Sequence, residues 1–241
     1  MRNTVVFPFA LLLATMTTGC STVKSQALTR EEAANIRSVT VVQNRGTEEY
    51  RTLIVANPAM AFGLIGGMIA AAEISAKSAR LTQALDPTRT RLRERLATQL
   101  VEVLTHDVYE VETELRDTPK NAGDTKPATG DVLKKGNTDA VLSTTMSAGY
   151  VSVGPGMPYV PSVRVEVIAT RVATGAVIYQ NTFAYGYTVG ESDRAVHLNA
   201  DDRYRFDNID ALVDRADEAR DGLIDGVNAI AERVAVDLRK N

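Results

Sequence analysis

Residues 139–187 limit the folding options of this chain more than any other stretch. From Ala140 to Ala148 apolar and hydroxyl residues alternate, and Val163, Val165 and Val167 repeat the pattern. A period of two marks strands with one buried face. The Pro/Gly-rich run 154–161 and the sequence Ala173-Thr174-Gly175-Ala176 supply the turns. The returning run carries Val177, Tyr179, Phe183, Tyr185 and Tyr187. The block reads as a three-stranded antiparallel meander. Its tyrosine row reads as core cover and cross-strand pairing rather than a binding platform.

The flanks add helices and further strands. Thr29-Arg30-Glu31-Glu32 has the form of a capping box and predicts a short helix through Asn35. Residues 38–43 are mostly apolar and predict a strand covered on both faces. Asn44-Arg45-Gly46 is a turn, and 48–55 a second, weaker strand. Asp86 and Pro87 suit an N-cap and first helical position, and Leu92, Leu96, Leu100 and Val103 continue one face to about Leu104. Tyr109, Val111, Thr113 and Leu115 alternate with Glu110, Glu112 and Glu114, predicting a strand with one acidic, wet face. Residues 117–136 read as a long surface loop and 190–208 as a polar loop. Residues 207–239 form the strongest helical pattern, with Leu212, Leu223, Val227, Ile230 and Val234 in one stripe. Gly222 and Gly226 would let that helix cross closely over the sheet. The expected fold is an α/β (α+β) domain with a mixed, mainly antiparallel sheet, flanking helices and a long C-terminal helix on the sheet.

Residues 58–74 stand apart. No charged or strongly polar side chain occurs from Ala59 to Ala72, and Gly63, Gly66 and Gly67 interrupt the run. Gly63 and Gly67 have the spacing that lets two helices approach closely. A run of this length is expected as a core-facing helix with a glycine-rich start. The competing reading makes Gly63, Gly66 and Gly67 a contact surface for another subunit or the membrane. The two readings separate at Gly67: a bulky residue overpacks a buried helix but leaves the stability of an exposed one unchanged.

Composition narrows function mainly by exclusion. Hydrophobic residues make up 44% of the 241, enough for a core, while aromatics are only 5%. The formal charge of −3 offers no basic excess for a nucleic-acid backbone. Cys20 is the sole cysteine, so no disulfide or thiolate metal site can form within one chain. His106 and His197 are isolated in sequence, and His106 reads as a helix-end cap. No nucleophile elbow, phosphate loop or paired metal-binding histidines occur. No enzyme activity, cofactor or metal is expected.

The first twenty residues address the chain. Met1 and Arg2 open a short basic segment, Val5 to Ala14 is apolar apart from Pro8, and Thr18-Gly19-Cys20 closes it. That is the form of a secretory signal peptide, about half the length a spanning helix needs. Gly19-Cys20 resembles the lipobox of bacterial lipoproteins, with Thr17 where that family commonly has Leu. The resemblance implies a signal peptide over 1–19, lipid on Cys20, a tether over 20–28 and one periplasmic domain over 29–241. Ser21, not Asp, follows the cysteine, which by the family's sorting rule implies the outer membrane, facing the periplasm.

The body carries a second resemblance. Asp139-Ala140-Val141-Leu142 and the hairpin through Thr174-Gly175-Ala176-Val177-Ile178-Tyr179 are similar to a group of periplasmic α/β domains. That group includes the curli secretion channel subunit, the lipoprotein activators of penicillin-binding proteins and the N-terminal domain of the Tol propeller protein. The resemblance implies a non-catalytic binding or scaffolding module with an envelope protein partner. An oligomeric export or pore assembly using residues 59–72 is the alternative, so self-association stays open.

Overall fold

The computed structural model describes residues 25–45, 48–107, 109–117, 138–187 and 195–239. The segment expected as a signal peptide, Cys20 and nearly all of the loop expected at 117–136 lie outside the described residues. In chain order the elements are α1 (Arg30–Ala34), β1 (Ser38–Arg45), β2 (Tyr50–Ile54), a 3-10 turn (Pro58–Phe62), α2 (Gly63–Leu85), α3 (Pro87–Thr90), α4 (Leu92–His106) and β3 (Glu110–Asp117). Then come β4 (Ala140–Ser152), β5 (Val160–Arg171), β6 (Val177–Gly186), β7 (Val196–Leu198), a 3-10 turn (Asp202–Tyr204), α5 (Ile209–Asp214) and α6 (Ala216–Leu238).

One mixed sheet runs β3-β1-β4-β5-β6-β7, with β2 also paired to β4. The meander is present: β4–β5 and β5–β6 are its two long antiparallel ladders. β1 lies parallel between β3 and β4, β2 is parallel to β4, and β7 to β6. The sheet is mixed as expected, but among the described residues four of its six strand pairings are parallel, so it is not mainly antiparallel. Two strands therefore share one flank of β4: β1 takes Ala140–Leu142 and β2 takes Ala148–Ser152. Helices α4 and α6 cover one face, where Val163, Val165, Val167, Tyr179 and Phe183 are buried with Leu96, Leu100, Leu223 and Val227. The other face keeps Ser162, Arg164, Glu166 and Ile168 partly exposed. Its own small cluster joins Val42 to Val141 and Val172. β1 is thus buried on both sides, as its apolar run requires.

Glycines set how closely layers meet. A Cβ on Gly222 would lie 2.7 Å from the Tyr150 hydroxyl oxygen, and one on Gly226 2.6 Å from Tyr185 Cδ1. The C-terminal helix therefore lies directly on the sheet, as the spacing predicts. The Tyr150 hydroxyl donates to the Ala219 carbonyl at 2.9 Å, and the Tyr109 hydroxyl to that of Leu238 at 2.7 Å.

Several expectations need correction. The helix expected from Pro87 to Leu104 is two pieces, because Asp86 and Arg91 both adopt positive φ (51° and 48°). Asp86 caps the short α3 by accepting from the Thr88 amide at 3.0 Å. Arg91 offers no side-chain cap to α4. The cap comes instead from the buried Glu48 carboxylate, which accepts from the Leu92 and Arg93 amides at 2.9 and 2.7 Å and from the Tyr50 hydroxyl. A carboxylate at a helix N-terminus is favoured by the helix dipole. Burial, reinforced by Glu48, pushes the Tyr50 phenol far above its ordinary range.

The C-terminal helix also breaks, at Arg215, whose guanidinium sits 4.8 Å over the Phe206 ring and pairs with Glu218. Asn208 caps α5 by accepting from the Ala211 amide at 2.9 Å. The apolar face of β3 fades along its length: Tyr109 is buried but Leu115 is exposed, because this edge strand runs past its helical cover. His106 is exposed in the last turn of α4, and the Asp107 backbone amide closes that end. The polar loop expected at 190–208 contains β7 and a 3-10 turn.

Candidate functional site

The site is built where β2 hands over to α2. The free edge of β2 is closed by hydroxyls of that helix. Thr82 Oγ1 accepts from the Tyr50 amide and Ser78 Oγ from the Thr52 amide, both at 2.9 Å. Side-chain oxygens thus replace a missing neighbour strand, which an unpaired edge otherwise recruits. The register also orients α2. Its C-terminal half lies beside β2, and its first turns run past the end of the sheet.

Asn57 starts the connection by accepting from the Ala59 amide at 3.0 Å, and Pro58 follows it. Gly63 then turns into α2 at φ 64°, a conformation that favours glycine. Beyond it Leu64, Ile65, Met68 and Ile69 are 83%, 68%, 61% and 60% exposed. This overturns the core-facing reading of 58–74. The run faces solvent because the sheet ends before α2 begins, leaving only Gly66 and Ala70 of these turns to be buried. Gly63 is exposed and Gly67 half-buried, and a Cβ on either would meet nothing within 4 Å. A larger residue at Gly67 therefore overpacks nothing. Of the three glycines, Gly66 turns inward and the other two lie on the open side.

Neighbouring loops extend the apolar end. The Val55 amide donates to the Ser152 carbonyl at 2.9 Å and the Ala56 amide to that of Val153 at 3.1 Å. This tie sets exposed Val55 beside exposed Val153, with Met157 on the same β4–β5 loop. Single exposed apolar residues are ordinary, whereas these stand close together in the chain at the start of one helix and on the loops near it. Beside it, a groove of about 1020 Å³ runs between α2 and the open sheet face, lined by Ala71, Ser75, Ser78, Ala79, Gly149 and Val151 among others.

Glu73 and Lys77 form the expected i,i+4 pair, which draws the Glu73 carboxyl down and the Lys77 ammonium up. His106 and His197 lie on different elements, α4 and β7. Among the described residues no three His, Cys, Asp or Glu side chains gather as metal ligands. Also among them, no helix is long and apolar enough to cross a membrane. Sequence reasoning missed Leu64, Ile65, Met68 and Ile69 as surface residues. Their signal was present, as a run without polar residues, but the run alone does not say whether neighbours cover it.

The fold defines a mixed α/β domain with an apolar helical end. No family model matches the chain, and neither does any curated protein. Among solved structures it is similar to a PelC dodecamer from Paraburkholderia phytofirmans, with 13% identity, a TM-score of 0.31 and coverage of 91% of this chain and 95% of that one. It is also similar to a neuraminyllactose-binding hemagglutinin homolog from Helicobacter pylori, with 10% identity, a TM-score of 0.40 and coverage of 86% and 84%. Likenesses this distant leave function to the chain's own residues.

Proposed function

We propose that this protein is a cell-envelope lipoprotein, held by lipid on Cys20 in the outer membrane and facing the periplasm, that works as a non-catalytic binding or scaffolding module. The observation that carries the binding role is the exposed apolar start of α2, a surface that water disfavours and a protein partner would cover. The lipobox resemblance at Gly19-Cys20 supports the anchor. Two or three acyl chains would hold the domain stably, where one would be marginal. The alternative, a subunit of an oligomeric export or pore assembly, draws on the same surface.

Mass spectrometry of the membrane fraction tests the anchor: the mature N-terminus should be acylated Cys20, and an unmodified thiol there would defeat it. A pull-down after crosslinking intact cells tests the binding role. Wild type should capture an envelope protein or its own copies, and Met68→Lys should lose that capture. Equal capture by the two would remove the apolar end from the function.

A further inference from the structure

We infer that the groove between α2 and the open face of the sheet binds a single-chain anionic amphiphile, an acyl chain ending in a carboxylate or phosphate head. The site is separate from the protein contact proposed above, and either can fail without the other.

The groove exists because one face of α2 is small. Ala71, Ser75 and Ala79 follow at one-turn intervals and are exposed, while Ser78 and Thr82 beside them hold β2. Opposite them Gly149 adds no side chain to the sheet. The space left is about 1020 Å³, at the top of the range of about 300–1,000 Å³ usual for ligand pockets.

Strand register orders the lining by polarity. Arg51, Gly149 and Ser162 share one level across β2, β4 and β5. Leu53 and Val151 share the level nearer the start of α2. On the other side come Ser147 and Arg164, with Glu49 just before β2. Because Thr82 meets Tyr50 and Ser78 meets Thr52, α2 runs back along β2. Gln83 therefore stands at the charged end, and Ala71 and Ile74 at the apolar one. One end offers charge and hydroxyls and the other offers hydrocarbon, which is the polarity of an amphiphile.

The two guanidinium groups select the head. Among the described residues no salt bridge engages Arg51, Arg164 or Glu49. Arg164 stands two strands from Arg51 and two residues along, about 12 Å between Cα atoms. Two arginines can close that span on one head, and their forks suit carboxylate and phosphate oxygens. Against Glu49 they leave one net positive charge, which matches a monoanion. An extended peptide fits less well, because the Tyr50 and Thr52 amides of the β2 edge are already taken by Thr82 and Ser78. Strand addition needs such groups free, whereas an acyl chain needs none.

Photo-crosslinking in membranes that carry the full chain tests the site. The probes are a diazirine-bearing palmitate and a lysophosphatidylethanolamine with the same chain. At least one should label the protein saturably at groove residues such as Ile74 or Val151, and the stronger of the two identifies the head. An alkylammonium probe of equal chain length should not label. Arg164→Gln should weaken labelling about tenfold. Ser75→Trp and Ala79→Phe, which fill the groove, should each abolish it. These three positions are not buried, so the variants should keep the wild-type circular dichroism spectrum and unfolding midpoint. They should also keep the crosslinked protein partner that Met68→Lys loses. No labelling by either anionic probe, equal labelling by the cationic one, or labelling unchanged in both filled variants would overturn the inference. Adducts at Met68 or Ile69 in place of the groove would also overturn it, while leaving the protein contact to its own test.

Discussion

Gly149 sits on β4 where β2 comes alongside, and a Cβ there would lie 1.8 Å from the Arg51 carbonyl oxygen. That oxygen is backbone and cannot rotate away. Gly149→Ala should therefore detach β2 and lower stability by about 3 kcal/mol or more, read as the urea midpoint. Asp139 does a different job one strand end away. Its carboxylate accepts from the Arg37 and Ser38 amides at 2.7 and 3.1 Å, tying β1 to the entry of β4. Those amide bonds, the Arg37 one foremost, hold its carboxyl below the usual range. The folded state thus prefers the charged form, and the stabilisation is present above the ordinary carboxylate pKa of about 4. It is lost as pH falls through the lower folded value. Asp139→Ala should cost about 1 kcal/mol at pH 7. In urea titrations the gap to wild type should close below about pH 4, and a gap unchanged to pH 2 would exclude the carboxylate as its source.

At the scale of elements, two helices of equal length use glycine in opposite ways. On α6, Gly226 marks contact: a Cβ would press Tyr185 at 2.6 Å and Val163 at 3.0 Å. On α2, Gly67 faces open space. Gly226→Ala should lower the thermal midpoint by the equivalent of about 1–3 kcal/mol. Gly67→Ala should leave it unchanged or raise it by up to about 1 kcal/mol, since alanine is the better helix former. Two helices responding alike, at a concentration where the protein is a single protomer, would mean that Gly67 packs against a neighbour within the fold. The sequence displays both glycine pairs with similar spacing, and only the position of the sheet tells them apart.

For the whole molecule, the exposed apolar end predicts a separation of stability from solubility. Replacing Leu64 and Ile69 together by Gln removes no contact within the protomer core. At dilute concentration the unfolding midpoint should shift by less than about 0.5 kcal/mol. Retention on a hydrophobic resin should fall, because the same side chains dominate one surface. A large loss of stability would place them in a core that the present fold does not contain.

Much of the architecture was legible in local pattern. The meander, the capping box at Thr29 and the close crossing at Gly222 and Gly226 all depend on neighbours within a few residues or on a period of two or 3.6. The breaks at Arg91 and Arg215 were not legible. One helix is capped by Glu48, more than forty positions earlier in the chain, and the other is turned by the ring of Phe206. The division of the β4 flank between β1 and β2 likewise joins residues far apart in sequence. The sequence determined that residues 59–72 would be apolar and helical enough to need a cover. Only the tertiary structure decided that the domain's own sheet ends too soon to provide it, because burial depends on where other elements stop.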